Sequence, residues 1–212
     1  HFFYQIFLLN AYKFGELSEI YPIARGLSPL IIFIISLLCL EEEVSFYEIL
    51  GIFLISFSLI IFGLKQFLNN SSSLKGFSLA IITGCFIASY SIVDGYGARV
   101  TQNPIGFYST MTLINGLIFY FYAKWKDREI INRIFVNGKL SFFVGGTASY
   151  AAYGIVVWAC LFLPIAVVSS IRETSILFAI LLGIFFLKEK INLIKFFLII
   201  GLCFGLVFLR FG

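Results

Sequence analysis

The sequence predicts an all-α fold, a polytopic membrane helical bundle, and three observations favour it. The chain of 212 residues is 60% hydrophobic and 12% charged, and it contains 27 phenylalanines. A typical soluble domain is about half apolar and about a quarter charged. The apolar residues also fall into long blocks, as in helices surrounded by lipid. The net charge of +4 then indicates the basic loops that membrane topology requires, and not a nucleic-acid-binding surface.

Eight apolar blocks are candidate transmembrane segments, since a helix needs about 20 residues to cross a bilayer. In chain order the blocks cover residues 1–14, 17–40, 46–64, 76–98, 104–123, 140–163, 165–187 and 192–211. Polar or turn-forming segments separate the blocks, at residues 41–43, 69–73, 99–104, 124–139, 164 and 188–190. The Asn/Ser run at 69–73 is typical of a flexible linker and marks the boundary between two halves of the protein.

Two stretches of the sequence resemble each other at an offset of 147 residues, the separation of Arg25 and Arg172. The first stretch runs from Arg-Gly-Leu-Ser-Pro through an apolar run to Leu-Glu-Glu at 40–42. The second runs from Arg-Glu-Thr-Ser-Ile through an apolar run to Leu-Lys-Glu at 187–189. Internal repeats that carry a charged residue at matching depth are typical of membrane transporters.

The repeat predicts how the chain divides. By the same offset, the counterpart of the sixth block would begin before His1, and the fourth and fifth blocks have no counterpart in the first half. We therefore expect a complete repeat of five helices, and a chain that is a fragment of a ten-helix (5+5) inverted-repeat protein. Residues 1–68 would be the last three helices of the first repeat, and residues 75–212 the complete second repeat. A genuine eight-helix protein is the alternative.

The residues around both arginines resemble a known family. The series from Arg172 through Ser175 to Leu-Lys-Glu, followed by a helix with glycine, is similar to the last repeat of EamA-type drug/metabolite transporters. The first copy is similar but has Ser58 where the second has Gly205. The resemblance implies two inverted repeats around a central cavity. We therefore expect a secondary transporter of the bacterial inner (cell) membrane that moves a small polar, anionic or amino-acid-like metabolite by alternating access.

Arg25 and Arg172 are the leading candidates for substrate binding. Each lies eight or nine residues into its block, about 12 Å deep at about 1.5 Å of rise per residue. A lipid-facing charge at that depth would cost several kcal/mol, so we expect both arginines to face the bundle interior. Helical steps of three residues place Ser28 on the face of Arg25 and Ser175 on the face of Arg172. Both guanidinium groups are suited to bind a carboxylate or phosphate with two parallel hydrogen bonds.

The arginines also have structural interpretations. Each can form an ion pair, for which Glu173 and Glu19 are the obvious partners, or extend its side chain to the membrane interface. Glu173 is itself a candidate site residue because it can hold the guanidinium side of a cavity in place. Adjacent helix residues point about 100° apart, so its neighbour Arg172 is not automatically its partner.

Three further residues complete the candidate substrate site. Asp94 lies near the end of the fourth block, where either a capping or interfacial role or proton coupling fits. Tyr150 and Tyr153 lie in the run 145–154, in which eight of ten residues are small. Such a run allows a ligand or a neighbouring helix to approach closely, so it indicates either cavity lining or helix packing.

Basic residues are distributed unequally between alternate loops. Loops 13–16, 65–75, 124–139 and 188–195 fall on one side, and they hold eleven Lys and Arg residues against two on the other side. The bias places these loops in the cytoplasm and the C-terminus outside. The family resemblance implies cytoplasmic termini, so the orientation stays open.

Catalytic and metal-binding patterns are absent from the sequence. His1 is the only histidine, and the four cysteines lie singly in apolar blocks. There is no Gly-rich phosphate loop, HExxH motif or nucleophile elbow, and the acidic run at 41–43 suits a solvated patch. We therefore expect no enzyme, cofactor or metal. The expected partners are a small-molecule substrate, the lipid bilayer and a coupling ion or proton, with no nucleic acid.

Two other functions compete with transport. One is a non-transporting membrane subunit or lipid-flipping partner protein, which predicts a dry, packed interior. The other is a membrane-embedded enzyme, which the lack of a His/Asp/Glu cluster at one depth disfavours.

Overall fold

The computed structural model describes residues 1–70, 73–188 and 192–212. Within these ranges every regular element is helical, which confirms the all-α prediction. In chain order the helices are α1 (Phe2–Ala11), α2 (Leu17–Cys39), α3 (Phe46–Asn70), α4 (Leu74–Thr101), α5 (Pro104–Lys126), α6 (Ile130–Asn137), α7 (Gly146–Ala159), α8 (Ile165–Glu173), α9 (Ser175–Leu187) and α10 (Leu193–Phe211). A π-helical turn, Ser141–Gly145, leads directly into α7.

Six helical segments in the described ranges are long and apolar enough to cross a membrane. They are α2, α3, α4, Ser141–Ala159, Ile165–Leu182 and α10. The chain is therefore a multi-pass membrane protein. Block 1–14 forms α1, which has only ten residues. Block 104–123 forms α5, which is not among the six segments. The count of eight spans and the 5+5 repeat remain predictions.

The chain divides into two compact units. Unit 1 consists of His1 with residues 3–92 and 163–212, and unit 2 consists of Phe2 with residues 93–162. Helix α4 therefore begins in unit 1 and ends in unit 2. Two predicted features lie partly outside the described residues. These are the Asn/Ser linker, at Ser71 and Ser72, and the Leu-Lys-Glu turn of the second repeat stretch, at Glu189 and the following Lys190.

Unit 1 is built by packing α3 on both α2 and α10. Helices α3 and α10 approach each other closely because glycines lie where they meet. A Cβ atom on Gly51 would lie 2.7 Å from Leu209 Cγ and 2.8 Å from the carbonyl oxygen of Gly205. Small residues that let helix backbones approach closely are the usual device of helix packing in membranes. Gly201 and Gly205 thus serve packing inside the unit.

Glu42 accepts a hydrogen bond from the first residue of α8. The expectation that the whole acidic run 41–43 is a solvated patch is therefore wrong for this residue. The backbone N–H of Ile165 donates to Glu42 Oε1 and Oε2 at 3.2 and 3.1 Å. The first N–H groups of a helix have no partner within it, and a carboxylate there also stabilises the positive end of the helix dipole. Glu41 and Glu43, in contrast, are exposed as expected.

Unit 2 has a small core between the end of α4, α5 and α7. Ala98, Tyr108 and Val157 are buried there, with Tyr153 and Leu161 packed against them. Helix α5 begins with the side chain of Asn103 accepting the N–H of Gly106 at 2.9 Å, an N-cap followed by a proline. Most of α7 is exposed within the described structure, which suits a helix whose surroundings include lipid.

Candidate functional site

One buried carboxylate in unit 1 is shared by both repeat arginines. Arg25 Nη1 donates to Glu173 Oε1 and Oε2, at 3.1 Å each. Arg172 donates to Glu173 Oε1 from Nε and from Nη2, at 3.3 Å each. The Glu173 side chain is 0% exposed, whereas those of Arg25 and Arg172 are 18% and 11% exposed. The arginines are therefore partly accessible, and the carboxylate between them is not.

The two arginines are held by different neighbours. Arg25 Nη2 donates to the hydroxyl of Tyr21 one turn earlier in α2, and its guanidinium lies 4.8 Å from the centre of the Tyr21 ring. Arg172 Nη1 donates to Ser91 Oγ of α4 at 3.4 Å, near the limit of a hydrogen bond. Side chains of α2, α4 and α8 thus meet at one place.

The two arginines can offer further hydrogen bonds to a ligand. Their side chains are 18% and 11% exposed, and each guanidinium group has five N–H donors. Guanidinium donors suit the oxygens of a carboxylate or phosphate, so the arrangement is suited to receive an anionic group.

Aromatic side chains border this cluster. The rings of Tyr4 from α1 and Tyr90 from α4 lie 5.3 Å apart, and His1 stacks on Tyr90 at 4.3 Å. Tyr4 is within electrostatic range of both Arg25 and Arg172. Tyrosines that present a ring and a hydroxyl are common where a small polar ligand meets an apolar wall.

The two serines predicted to accompany the arginines in unit 1 differ in their exposure. Ser28 is fully buried one turn after Arg25, and its hydroxyl has no hydrogen-bond partner among the described residues. Ser175 is exposed as the first residue of α9, because α8 ends at Glu173 and the chain makes a turn at Thr174. Of the two serines, only Ser28 is therefore buried.

Several residues of this cluster were missed by sequence reasoning. Tyr21 stands four positions before Arg25, so helical spacing is a signal that could have found it. Tyr4, Tyr90 and Ser91 reach the site through tertiary packing, and the sequence has no local signal for that.

The other three predicted residues lie in unit 2. Tyr153 donates its hydroxyl to Asp94 Oδ2 at 2.8 Å, and Asp94 is 1% exposed. Helix α4 continues for seven residues beyond Asp94 to Thr101, so the carboxylate does not cap the helix end. A capping role therefore does not fit Asp94, and proton coupling stays a prediction.

Tyr150 lines an aromatic groove of unit 2. Its ring stacks on Tyr108 at 5.0 Å, and its hydroxyl lies 2.6 Å from Ser109 Oγ. Tyr108, Tyr150 and Trp158 border a groove of about 380 Å³ between α5 and α7. The rings of Tyr108 and Tyr153 also meet edge to face at 5.3 Å, which connects the groove wall to Asp94.

The side chains in these two places are suited to electrostatic binding of a ligand. Among the described residues, no group of three or more His, Cys, Asp or Glu side chains is placed to hold a metal ion. The arginine cluster offers charged hydrogen-bond donors to a ligand, and the unit 2 pair offers a buried carboxylate with a phenol donor.

The part of the chain that the structure describes has six membrane-length helical segments and a buried charged cluster, which define a polytopic helical membrane protein with an internal polar site. The EamA-like transporter family model matches residues 74–211, which is more than half of the chain. The chain therefore belongs to the EamA-like transporter family, in agreement with the resemblance noted in its sequence and with a transporter rather than an enzyme. No curated protein matches the chain.

Proposed function

We propose that the protein is a secondary transporter that moves a small polar metabolite with an anionic group, such as an amino-acid-like carboxylate, by alternating access. The observation that carries this proposal is the sharing of Glu173 by Arg25 and Arg172. Family membership supports transport in general, and the two partly exposed guanidinium groups support an anionic substrate.

In this proposal the substrate competes with Glu173 for the arginines. Arg25 contacts both oxygens of the carboxylate at 3.1 Å, whereas Arg172 contacts Oε1 from Nε and Nη2 at 3.3 Å. Because the hydrogen bonds from Arg172 to Glu173 are the longer ones, we assign Arg172 the main contact with the substrate. A planar guanidinium binds a second carboxylate or a phosphate by two parallel hydrogen bonds. Arg25 then keeps Glu173 in place.

Antiparallel packing of α2 and α8 supports the inverted repeat on which alternating access depends. Arg25, near the start of α2, contacts Glu173 at the end of α8. Glu42, just beyond the end of α2, contacts Ile165 at the start of α8. Inverted repeats place their equivalent helices in opposite directions across the membrane, with the substrate site near the middle.

Reciprocal contacts between α3 and α10 also support the repeat. A Cβ atom on Gly201 would meet Ser58, and one on Gly205 would meet Ile55. The 147-residue offset relates Ser58 to Gly205 and Leu54 to Gly201. When the offset is applied to both members of the pair Ser58–Gly201, it predicts a second pair, Leu54–Gly205. The observed neighbour of Gly205 is Ile55, one residue after Leu54. Elements related by a two-fold axis make reciprocal contacts of this kind.

Asp94 is our candidate for the residue that carries the coupling proton. Its carboxylate is buried and accepts a hydrogen bond from Tyr153, and intramembrane carboxylates commonly serve proton relays in transporters. We further propose the bacterial inner membrane as the location, on the basis of the family resemblance.

A paired-ligand thermal-shift screen tests the anionic substrate. The purified protein is heated with small carboxylates and with the amide of each, so that each pair differs mainly in charge. Binding to the folded state stabilises by about 2.7 kcal/mol at 100 times the Kd. We expect a carboxylate to raise the melting temperature and its amide to have no effect. Equal shifts for both members of every pair would refute the anionic site.

Uptake of the same ligand into proteoliposomes then tests transport itself. We expect labelled carboxylate to accumulate in vesicles that contain the protein and not in empty vesicles. Binding without uptake would favour the non-transporting membrane subunit.

A further inference from the structure

The segment that joins α5 to α7 concentrates the basic charge of the chain. Between residues 124 and 140 there are five basic and two acidic residues, a net charge of +3 in a chain whose net charge is +4. The basic residues are Lys124, Lys126, Arg128, Arg133 and Lys139. All five are exposed, so this basic segment presents its charge to the surroundings.

Two of these lysines lie over aromatic rings of α5. The Lys124 ammonium is 5.7 Å from the centre of the Tyr120 ring, and the Lys126 ammonium is 5.9 Å from that of Tyr122. Between them Trp125 is 84% exposed. Tyrosine, tryptophan and lysine at the end of an apolar helix are typical of the membrane interface.

Helix α6 adds apolar side chains to the same surface. It has eight residues, and Ile134, Phe135 and Val136 are 37%, 49% and 79% exposed. Asn132 and Arg133 beside them are exposed and polar, and Arg133 pairs with Asp127. A short helix with both kinds of exposed side chain is suited to lie in the plane of a membrane surface.

We propose that the basic segment, residues 124–140, is a docking surface for anionic lipid headgroups. Its lysines and arginines contact the headgroup phosphates, while Trp125 and the apolar side chains of α6 enter the boundary with the acyl chains. The candidate span Ser141–Ala159 begins directly after it, which places the segment at the end of a membrane helix. Clusters of four to eight basic residues at such ends attract anionic lipids.

Membrane topology alone does not account for this surface. A topological signal needs only basic residues in a short loop. An exposed tryptophan and a helix with three exposed apolar side chains add nothing to that signal, but they match the chemistry of an interfacial lipid site. Because basic and apolar groups occur together in these 17 residues, the partner is expected to combine negative charge with hydrocarbon, as an anionic lipid does.

Quenching of Trp125 by brominated lipids tests the proposal. The chain has two tryptophans, so Trp158→Phe leaves Trp125 as the only reporter. The protein is placed in vesicles of phosphatidylcholine and phosphatidylglycerol in about equal amounts, with bromine on one lipid or on the other. We expect phosphatidylglycerol to be favoured at Trp125 by about fivefold or more, the factor for about one basic residue at the surface. Equal quenching by the two lipids would overturn the proposal.

Salt and charge variants provide the matched controls. Raising the salt to about 1 M shortens the Debye length to about 3 Å and should remove the preference. Lys124→Gln with Arg128→Gln should reduce the preference about fivefold or more, whereas Lys65→Gln with Lys75→Gln, an equal loss of exposed charge elsewhere, should leave it unchanged. An equal reduction in both double variants, or a preference that persists in salt, would contradict a site at this segment. The lipid and salt comparisons need no basic substitution, so they decide the matter even if a variant fails to fold.

Discussion

Both compact units bury a carboxylate, but they surround it with different chemistry. In unit 1, Glu173 lies between two guanidinium groups. In unit 2, Asp94 accepts a hydrogen bond from the phenol of Tyr153. The two guanidinium groups around Glu173 are charged donors, whereas the Tyr153 phenol at Asp94 is a neutral one. The roles proposed above follow this contrast, with anion binding in unit 1 and proton coupling in unit 2.

The largest effect should follow loss of the shared carboxylate. Glu173→Gln leaves two partly buried arginines without their counter-ion, and breaking a buried pair in this way costs about 3–5 kcal/mol. We expect a large fall in the melting temperature of the detergent-purified protein. The control is Glu43→Gln at an exposed position, which should change stability by less than about 0.5 kcal/mol. Similar stability of the two variants would show that Glu173 is not essential to the cluster.

A smaller effect is expected in unit 2. Tyr153→Phe removes the donor and leaves the Asp94 oxygen less satisfied, at a cost of about 1–3 kcal/mol in unfolding free energy. Chemical unfolding of the variant measures this cost. A loss as large as that of Glu173→Gln would remove the contrast between the two units.

The role proposed for Asp94 is tested by pH. Asp94→Asn keeps a hydrogen-bond acceptor for Tyr153 but cannot ionise, so we expect modest loss of stability and loss of the pH dependence of uptake into proteoliposomes. The control is Glu41→Gln, an exposed carboxylate that should leave the pH profile unchanged. An unchanged pH profile in Asp94→Asn would rule out this carboxylate as the coupling site.

The smallest effect concerns the cap of α8. Glu42→Ala removes the acceptor of the Ile165 N–H and should cost about 1 kcal/mol, a typical value for a lost helix cap. Glu41→Ala and Glu43→Ala should be close to neutral because both side chains are exposed. Equal changes in melting temperature for all three variants would mean that the cap contributes little.

The helical membrane class could be predicted from the sequence because hydrophobicity acts locally along the chain. The blocks that begin at residues 17, 46, 76, 140, 165 and 192 each coincide with one of the six membrane-length segments. It was harder to predict whether blocks 1–14 and 104–123 cross the membrane, because their length and composition are marginal for a membrane-spanning helix. Nothing local revealed the break at Thr174, where the backbone stays close to helical values.

The site was only partly predictable, for a physical reason. Arg25 and Arg172 stood out because a charge in an apolar block is costly and requires compensation. Glu173 could be named as a partner, but its bond to Arg25 joins residues 148 positions apart. Ser91, Tyr4 and the cap formed by Glu42 depend in the same way on which helices pack together, and a single sequence does not specify that.

Arg172→Lys tests the central claim most directly, with affinity and melting temperature measured on the same preparation. Lysine keeps the charge but loses the planar fork, so affinity for the carboxylate found by the screen should fall about tenfold or more, a loss of about 1.4 kcal/mol. Arg25→Lys is the matched comparison and should weaken binding less, because Arg25 is the partner that holds Glu173. A structural ion pair instead predicts a lower melting temperature with unchanged affinity in both variants. Unchanged affinity in Arg172→Lys would contradict the substrate role of this arginine.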